Sequence, residues 1–189
     1  MLSLAQLKIA IYLVFSPSAC DQALDIGVVI DSSDSITLED YNLCLKFVAD
    51  LAKRFKVSEQ ETHFGAIVFS TTPQLQFSFA DKEFYKLNST PQLQFSFADK
   101  EFYKLKLLRK KIRSFPYLAE GTRTDLALTL ADLELFSEQG GDRLDKPDVL
   151  IVITDGRTHP VLSKPYPEVL QPLQVNNPVF CNTFKGVFI

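Results

Sequence analysis

The sequence has few of the residues on which several protein classes depend. It has no tryptophan, three cysteines and seven glycines among 189 residues. Three cysteines are too few for a disulfide scaffold and too widely spaced for a zinc cluster. The scarcity of glycine excludes collagen and glycine-rich linkers. The chain must therefore fold around a hydrophobic core, to which its 16 phenylalanines contribute.

Charge, apolar runs and missing motifs exclude further classes. The 20 basic and 23 acidic residues give a net charge of −3, without the basic patch of a nucleic-acid binder. The apolar run near the N-terminus is far shorter than the ~20 residues of a membrane span. The glycine-rich nucleotide loops and the Gly-x-Ser-x-Gly elbow are absent, so the sequence does not predict an enzyme. With 46% apolar and 23% charged residues, it predicts a single globular domain.

The first twenty residues have the pattern of a secretory leader. One positive residue, Lys8, precedes a short apolar run at 9–15, and small residues follow before position 20. This order predicts a signal peptide over residues 1–19 and a secreted protein whose domain covers residues 20–189. A buried N-terminal strand or helix is the alternative.

Strand and helix patterns alternate along the rest of the chain. Apolar runs rich in β-branched residues predict strands buried on both faces at 24–30, 63–70 and 148–154. Apolar residues at helical spacing predict helices over about 37–55, 100–114 and 124–137. On the last helix the predicted apolar side comprises Leu126, Leu130, Leu133 and Phe136. The alternation predicts an α/β fold, an open and mostly parallel sheet flanked by helices.

One segment of the sequence occurs twice. Residues 72–87 and 90–105 both read TPQLQFSFADKEFYKL, and only Asn88 and Ser89 separate them. Two copies are too few to stack as a solenoid, so one copy is surplus to a single domain. We predict that one copy forms an exposed loop or an extra hairpin. Its phenylalanines, at 77 and 79 or at 95 and 97, would then favour aggregation.

Three polar clusters stand where a strand ends or a helix begins. They occupy residues 31–35, 121–125 and 154–156. Each alone could be only a helix cap or a turn. In a parallel sheet, however, all three meet at the carboxyl edge, where such sheets bind ligands. Carboxylates and hydroxyls are ligands of hard divalent cations, so the clusters predict a site for Mg²⁺, or else for Ca²⁺ or Mn²⁺.

With these clusters the sequence resembles the von Willebrand factor type A family, which includes the integrin inserted domain and domains of matrilins and collagen VI. The resemblance covers about residues 22–160 and implies a Rossmann-like sheet. It also implies a metal-ion-dependent adhesion site formed by Asp31, Ser33, Ser35, Thr122 and Asp155. After about residue 160 five prolines make a regular helix hard to place. That last part of the domain is expected to be degenerate or truncated.

The resemblance implies an adhesion or extracellular-matrix module. Its cation would capture an acidic side chain of an extracellular partner, collagen or another matrix protein by analogy with the family. Asp34, which stands where the family usually has glycine, Arg123 and Arg157 are the candidate partner-binding residues. The two arginines could steer an acidic ligand, they could pair with Asp34 and Asp125, or they could be ordinary surface charges.

The alternative is a structural matrix protein whose metal site is idle. Such a protein would self-associate or be disulfide-linked, since Cys20 and Cys181 flank the folded region. The two could pair with each other or with another chain. Cys44 falls in the apolar stripe of a helix and is predicted to be a buried free thiol.

Overall fold

The computed structural model describes the backbone of residues 8–12, 23–85, 97–156 and 158–175, and side chains within 23–85, 104–156 and 158–173. Five strands form one sheet in the order β1-β5-β2-β3-β4. They are β1 (Lys8–Tyr12), β2 (Asp25–Asp31), β3 (His63–Phe69), β4 (Gln74–Phe77) and β5 (Asp148–Thr154). Strand β2 pairs in parallel with β3 and β5, whereas the outer strands pair antiparallel. The predicted α/β fold is therefore confirmed.

Helices cover both faces of the sheet. They are α1 (Leu38–Leu51), α2 (Phe97–Ile112), α3 (Thr124–Glu134) and α4 (Tyr166–Val175). Thr37 caps α1, because its Oγ1 accepts a hydrogen bond from the Asp40 backbone N–H at 3.1 Å. Residues of α1 and α2 form one core with one face of the sheet, and residues of α3 and α4 form a second core with the other. Cys44 lies in the first core as a free, buried thiol, as predicted.

The buried face of α3 differs in part from the predicted one: Phe136 is buried and the partly buried Leu130 packs against the second core, as predicted, but the other two residues do not. Leu126 and Leu133 are 37% and 61% exposed. The residues of α3 and its C-terminal cap that pack on the sheet are Ala127, Leu128, Ala131 and Leu135. The cause is steric: a Cβ on Gly27 of β2 would lie 2.7 Å from the Phe136 ring, so this end of the helix packs directly on the strand backbone. Alanines leave room for that approach, which a leucine stripe would not.

The two copies of the repeated segment have different structures. The first copy forms a hairpin with β3 and then a 3₁₀ turn at Lys82–Phe84. That one copy has exposed phenylalanines stays a prediction for the second copy, because Phe77 and Phe79 of the first are 4% and 2% exposed. They are buried because they pack into the cores on opposite faces of the sheet. The second copy starts α2 from residue 97 onward, and Phe95 lies outside the described residues.

Both ends of the described chain bear on predictions. Strand β1 pairs with β5. It is the N-terminal strand that the sequence offers as the alternative to a leader. Cleavage of residues 1–19 stays a prediction. The expectation that prolines hinder a helix after residue 160 is wrong for α4, which contains Pro172 and buries Val169 and Leu173. Pro167 lies in its first turn, where the missing N–H has no helical partner to lose.

Several predictions fall outside the described residues. These are the roles of Cys20, Cys181 and Arg157. Among the residues that the structure describes, no helix combines the length and hydropathy needed to cross a membrane.

Candidate metal centre

Strands β2 and β5 bring the first and third polar clusters together. Asp31, the last residue of β2, and Ser33 are both fully buried. Asp31 Oδ1 accepts a hydrogen bond from the Ser33 backbone N–H at 2.9 Å, and Oδ2 accepts one from Thr154 Oγ1 at 2.7 Å. The Ser33 and Ser35 hydroxyl oxygens lie 3.1 Å apart. Two motifs that are 123 residues apart in sequence thus share one hydrogen-bonded carboxylate.

The segment before α3 brings the second cluster to the same edge. Its backbone is hydrogen-bonded to the first loop twice, from Ala119 N to Ser32 O at 2.9 Å and from Asp34 N to Glu120 O at 2.8 Å. Ala119 has a φ of 52°, in the left-handed region that disfavours residues with a Cβ. Such strain persists where the surroundings fix the backbone, often at functional sites. The half-buried Thr122 therefore follows a segment fastened across the end of β2.

The charge on Asp31 is poorly compensated by the protein. Burial raises the pKa of Asp31, hydrogen bonds from Ser33 and Thr154 act against this, and the nearby Asp155 carboxylate raises it further. Among the described residues, no basic side chain forms an ion pair with Asp31. A buried carboxylate beside a second acid, without a basic partner, is a setting that a bound cation would stabilise.

Arg123 has a partner beside this centre. Its Nε and Nη2 donate to the two oxygens of Asp125, both at 2.9 Å. These bonds hold the pKa of Asp125 at about 2. Asp125 also accepts a hydrogen bond from the Lys164 backbone N–H at 3.2 Å, and His159 N donates to Thr122 O at 3.0 Å. Pairing with Asp125 is one of the three roles that the sequence leaves open for Arg123. Asp34, the other described candidate, is exposed.

A second acidic group lies at the amino edge of the sheet. Asp25 begins β2, Asp148 begins β5, and their carboxylate oxygens lie within 4.8 Å of each other and of Asp142. Arg143 neutralises one carboxylate of this group: its Nε and its backbone N–H each donate to Asp25 at 3.0 Å. Burial raises the pKa of Asp142, and a hydrogen bond with Asp148 acts against this rise.

Our sequence reasoning missed this second group. Its signal was that two buried strands, β2 and β5, each start with an aspartate, since a buried carboxylate requires a partner. The basic residue that supplies it, Arg143, lies 118 positions after Asp25. Nothing in the local pattern pairs the two.

The two acidic groups differ in their fit to a metal ion. At the carboxyl edge, the candidate donors are two carboxylates and three neutral hydroxyls, a set of hard oxygen ligands that fits Mg²⁺ or Ca²⁺. At the amino edge, a guanidinium already occupies Asp25. The residues at the carboxyl edge therefore fit the ion that the fold implies, and those at the amino edge do not.

Comparison with known proteins gives a consistent result. A model of the von Willebrand factor type A domain matches residues 25–177. Vitrin of Mus musculus is 32% identical over 140 residues, which are 74% of this chain and 18% of vitrin. The human collagen alpha-6(VI) chain is 34% identical over 140 residues, covering 73% of this chain and 5% of that one. Gallus gallus matrilin-1 is 27% identical over 145 residues, 75% of this chain and 25% of matrilin-1. The chain thus spans a quarter or less of each.

Solved structures show the same fold. Proximal thread matrix protein 1 from the mussel byssus superposes with a TM-score of 0.65 at 21% identity, over 84% of this chain and 36% of that one. A second structure of that protein, with a zinc-occupied MIDAS motif, also gives a TM-score of 0.65, at 22% identity over 84% of this chain and 37% of that one. At this level of identity the likeness concerns the fold.

Proposed function

Because this chain belongs to the von Willebrand factor type A family, we propose that it is a secreted extracellular-matrix module that binds a partner protein through a divalent cation. Vitrin, collagen VI, matrilin-1 and cochlin are extracellular matrix proteins, which supports a role in the matrix. The proposed partner presents an acidic side chain, as collagen or another matrix protein can. The role is one of binding, without catalysis.

The observation that carries this proposal is the state of Asp31. Its carboxylate is fully buried, lies near Asp155 and accepts hydrogen bonds from neutral donors. The buried carboxylate at the other end of the same strand, Asp25, has an arginine. Burying a charge is costly unless it is paired or binds a metal, and so the missing partner of Asp31 is best supplied by a cation.

We propose that five residues hold the ion. Ser33, Ser35 and Thr122 contribute hydroxyl oxygens, and Asp31 and Asp155 contribute carboxylates directly or through water. Since three of the five donors are neutral, a bound Mg²⁺ keeps part of its charge and can accept a carboxylate oxygen from the partner. The hydrogen bonds within residues 31–35 orient the oxygens before the ion arrives. Ca²⁺ and Mn²⁺ are the alternative ions.

The partner face surrounds this centre. Arg123 is engaged with Asp125, so we assign it the role of fixing the segment that carries Thr122. Asp34 is exposed and can add negative potential that favours a cation and disfavours a partner's acid. Arg157 remains a proposed contact for the partner's acidic side chain.

Binding to immobilised collagen VI and collagen I, measured by surface plasmon resonance, tests the proposal. We expect binding in Mg²⁺ that is abolished by EDTA and weakened about tenfold or more by Thr122→Ala. Thr129→Ala is the matched control, because Thr129 is exposed on α3 and its hydroxyl donates to the Asp125 carbonyl at 2.9 Å. Binding that is equally strong in EDTA would contradict the proposal and favour a structural matrix role with an idle site.

A further inference from the structure

The β4 position is a closely fitted site for one copy of the repeated segment. Phe77 and Phe79 are 4% and 2% exposed, and Phe84 and Tyr85 are each 2% exposed. The Tyr85 hydroxyl donates to the Phe64 carbonyl at 2.6 Å and accepts from the Phe64 N–H at 2.8 Å. These side chains fix residues 72–85 along the outer edge of β3 through specific contacts in both cores.

Every side chain that makes this fit is present twice. Residues 90–103 repeat residues 72–85 without a change, so that Phe95, Phe97, Phe102 and Tyr103 correspond to the four buried aromatic residues of the first copy. The site recognises side chains and backbone, and these are chemically the same in both copies. In the described structure, the later part of the second copy is instead helical, as the start of α2.

We propose that residues 90–103 can replace residues 72–85 in the β4 position, so that the chain has two folded states. Either state contains the same β4 and the same aromatic contacts. The two states differ in which eighteen residues are surplus to the shared structure, residues 86–103 in one state and residues 72–89 in the other. They also differ in the point of the chain at which these surplus residues are inserted.

The connection to α2 permits this exchange. The 3₁₀ turn at Lys82–Phe84 lies against α2. With Tyr103 in the place of Tyr85, the chain would continue directly into the remainder of α2, which buries Leu108 and Ile112. The exchange gives up the helical conformation of residues 97–103. It does not add to the length of chain that must be looped out, and the entropy of closing a loop depends only weakly on its length.

The exchange moves the surplus residues from the amino edge of the sheet, where β3 begins, to the carboxyl edge, where β3 ends. In the described state they follow Tyr85, whose ring stacks on His63 at the start of β3, with centroids 3.9 Å apart. In the exchanged state residues 72–89 would follow Thr71, just after β3 ends. That point adjoins the candidate metal centre, because the Ser70 carbonyl accepts a hydrogen bond from Arg123 N at 2.9 Å. The inference does not depend on whether that centre binds an ion.

A double-mutant cycle on Phe77 and Phe95 in the full chain tests the proposal. The measured quantity is the equilibrium constant for unfolding, from urea titrations followed by circular dichroism. In the wild-type chain, we expect Phe95→Ala to change the equilibrium constant for unfolding by less than about twofold. In the Phe77→Ala chain, the same substitution should raise this constant about tenfold or more. The double variant should exceed the wild type by about 100-fold or more, as is usual when a buried phenylalanine is truncated.

Two results would overturn the proposal. One is an equal effect of Phe95→Ala with and without Phe77→Ala, since the second copy would then never enter the site. The other is a Phe77→Ala chain already as unstable as the double variant. The control is the 171-residue chain that lacks residues 72–89 and keeps one copy. Truncating its single corresponding phenylalanine should cost the full 100-fold; should this chain not fold, the four full-length proteins decide the question alone.

Discussion

Strand β2 begins and ends with a fully buried aspartate, and the protein treats the two differently. Asp25, at the amino end, forms an ion pair with Arg143, which also donates a backbone hydrogen bond to it. Among the described residues, the hydrogen-bond donors to Asp31, at the carboxyl end, are neutral, and a second carboxylate, Asp155, lies nearby. Asp25 is thus a structural residue, because the Arg143 guanidinium neutralises it. For Asp31 we propose instead that a bound metal ion supplies the positive charge.

The contrast also separates two acidic groups that composition alone cannot distinguish. Carboxylate oxygens of Asp25, Asp142 and Asp148 lie within 4.8 Å of one another, which by itself resembles a metal site. The guanidinium of Arg143, however, already pairs with one of these three carboxylates, Asp25. Acidic clustering is therefore a weaker indicator of a cation site than a buried carboxylate without a basic partner.

The largest expected effect comes from removing the arginine. Arg143→Met leaves Asp25 buried and unpaired, and it should lower the free energy of unfolding by about 3–5 kcal/mol. Urea denaturation measures this change. Lys146→Met is the control, because Lys146 pairs with Asp145, which is 76% exposed, and such pairs contribute about 0–1 kcal/mol. If the free energy of unfolding fell as little as in the control, Asp25 would need no basic partner. The contrast between Asp25 and Asp31 would then be wrong.

A paired acid at the carboxyl edge should respond to pH in a defined direction. The pKa of Asp125, held at about 2 by Arg123, lies below its ordinary value, so its contribution to stability is present above about pH 4. It should be lost as the pH falls from about 4 to about 2, by about 2 kcal/mol relative to Asp125→Asn. Denaturation of both proteins across this range measures the difference. Parallel curves would mean that the pair with Arg123 does not stabilise the fold.

Asp31→Asn should have the opposite sign to Arg143→Met. Without divalent ions, removing the uncompensated charge should leave stability unchanged or raise it by about 1 kcal/mol. Thermal unfolding in EDTA measures this effect. Asp31→Ala is a less suitable variant, because it leaves Thr154 Oγ1 and the Ser33 N–H without their acceptor. A loss of several kcal/mol in Asp31→Asn would show that Asp31, like Asp25, is a structural residue.

The smallest effect concerns Asp34. Because its side chain is exposed, its charge acts on a bound cation through solvent, and Asp34→Gly should weaken Mg²⁺ binding by only a few-fold. Calorimetric titration at low and high salt measures this, and the difference should diminish at high salt. A loss that is independent of salt would instead assign Asp34 a direct bond to the ion.

The sequence predicts the central part of the fold well and its edges less well. Strands β2, β3 and β5 are continuous apolar runs rich in β-branched residues, a pattern that predicts buried strands. Because β2 and β5 are neighbours in the sheet, their carboxyl ends bring Asp31 and Asp155 close together. The exposure of Leu126 and Leu133 on α3 could not be predicted, because leucines at helical spacing are the stronger sequence pattern for a buried face. The cause of that exposure is the close packing of Phe136 on Gly27, two residues far apart in sequence. The two copies show the same limit, since the sequence KEF forms a 3₁₀ turn at residues 82–84 and part of helix α2 at residues 100–102.

We propose that the carboxyl edge of the sheet, and not the amino edge, binds a divalent cation. Mn²⁺ titration followed by electron paramagnetic resonance counts bound ions directly. We expect one bound ion per chain in the wild type, one in Asp142→Asn and none in Asp31→Asn. Loss of the ion in Asp142→Asn with retention in Asp31→Asn would contradict this proposal.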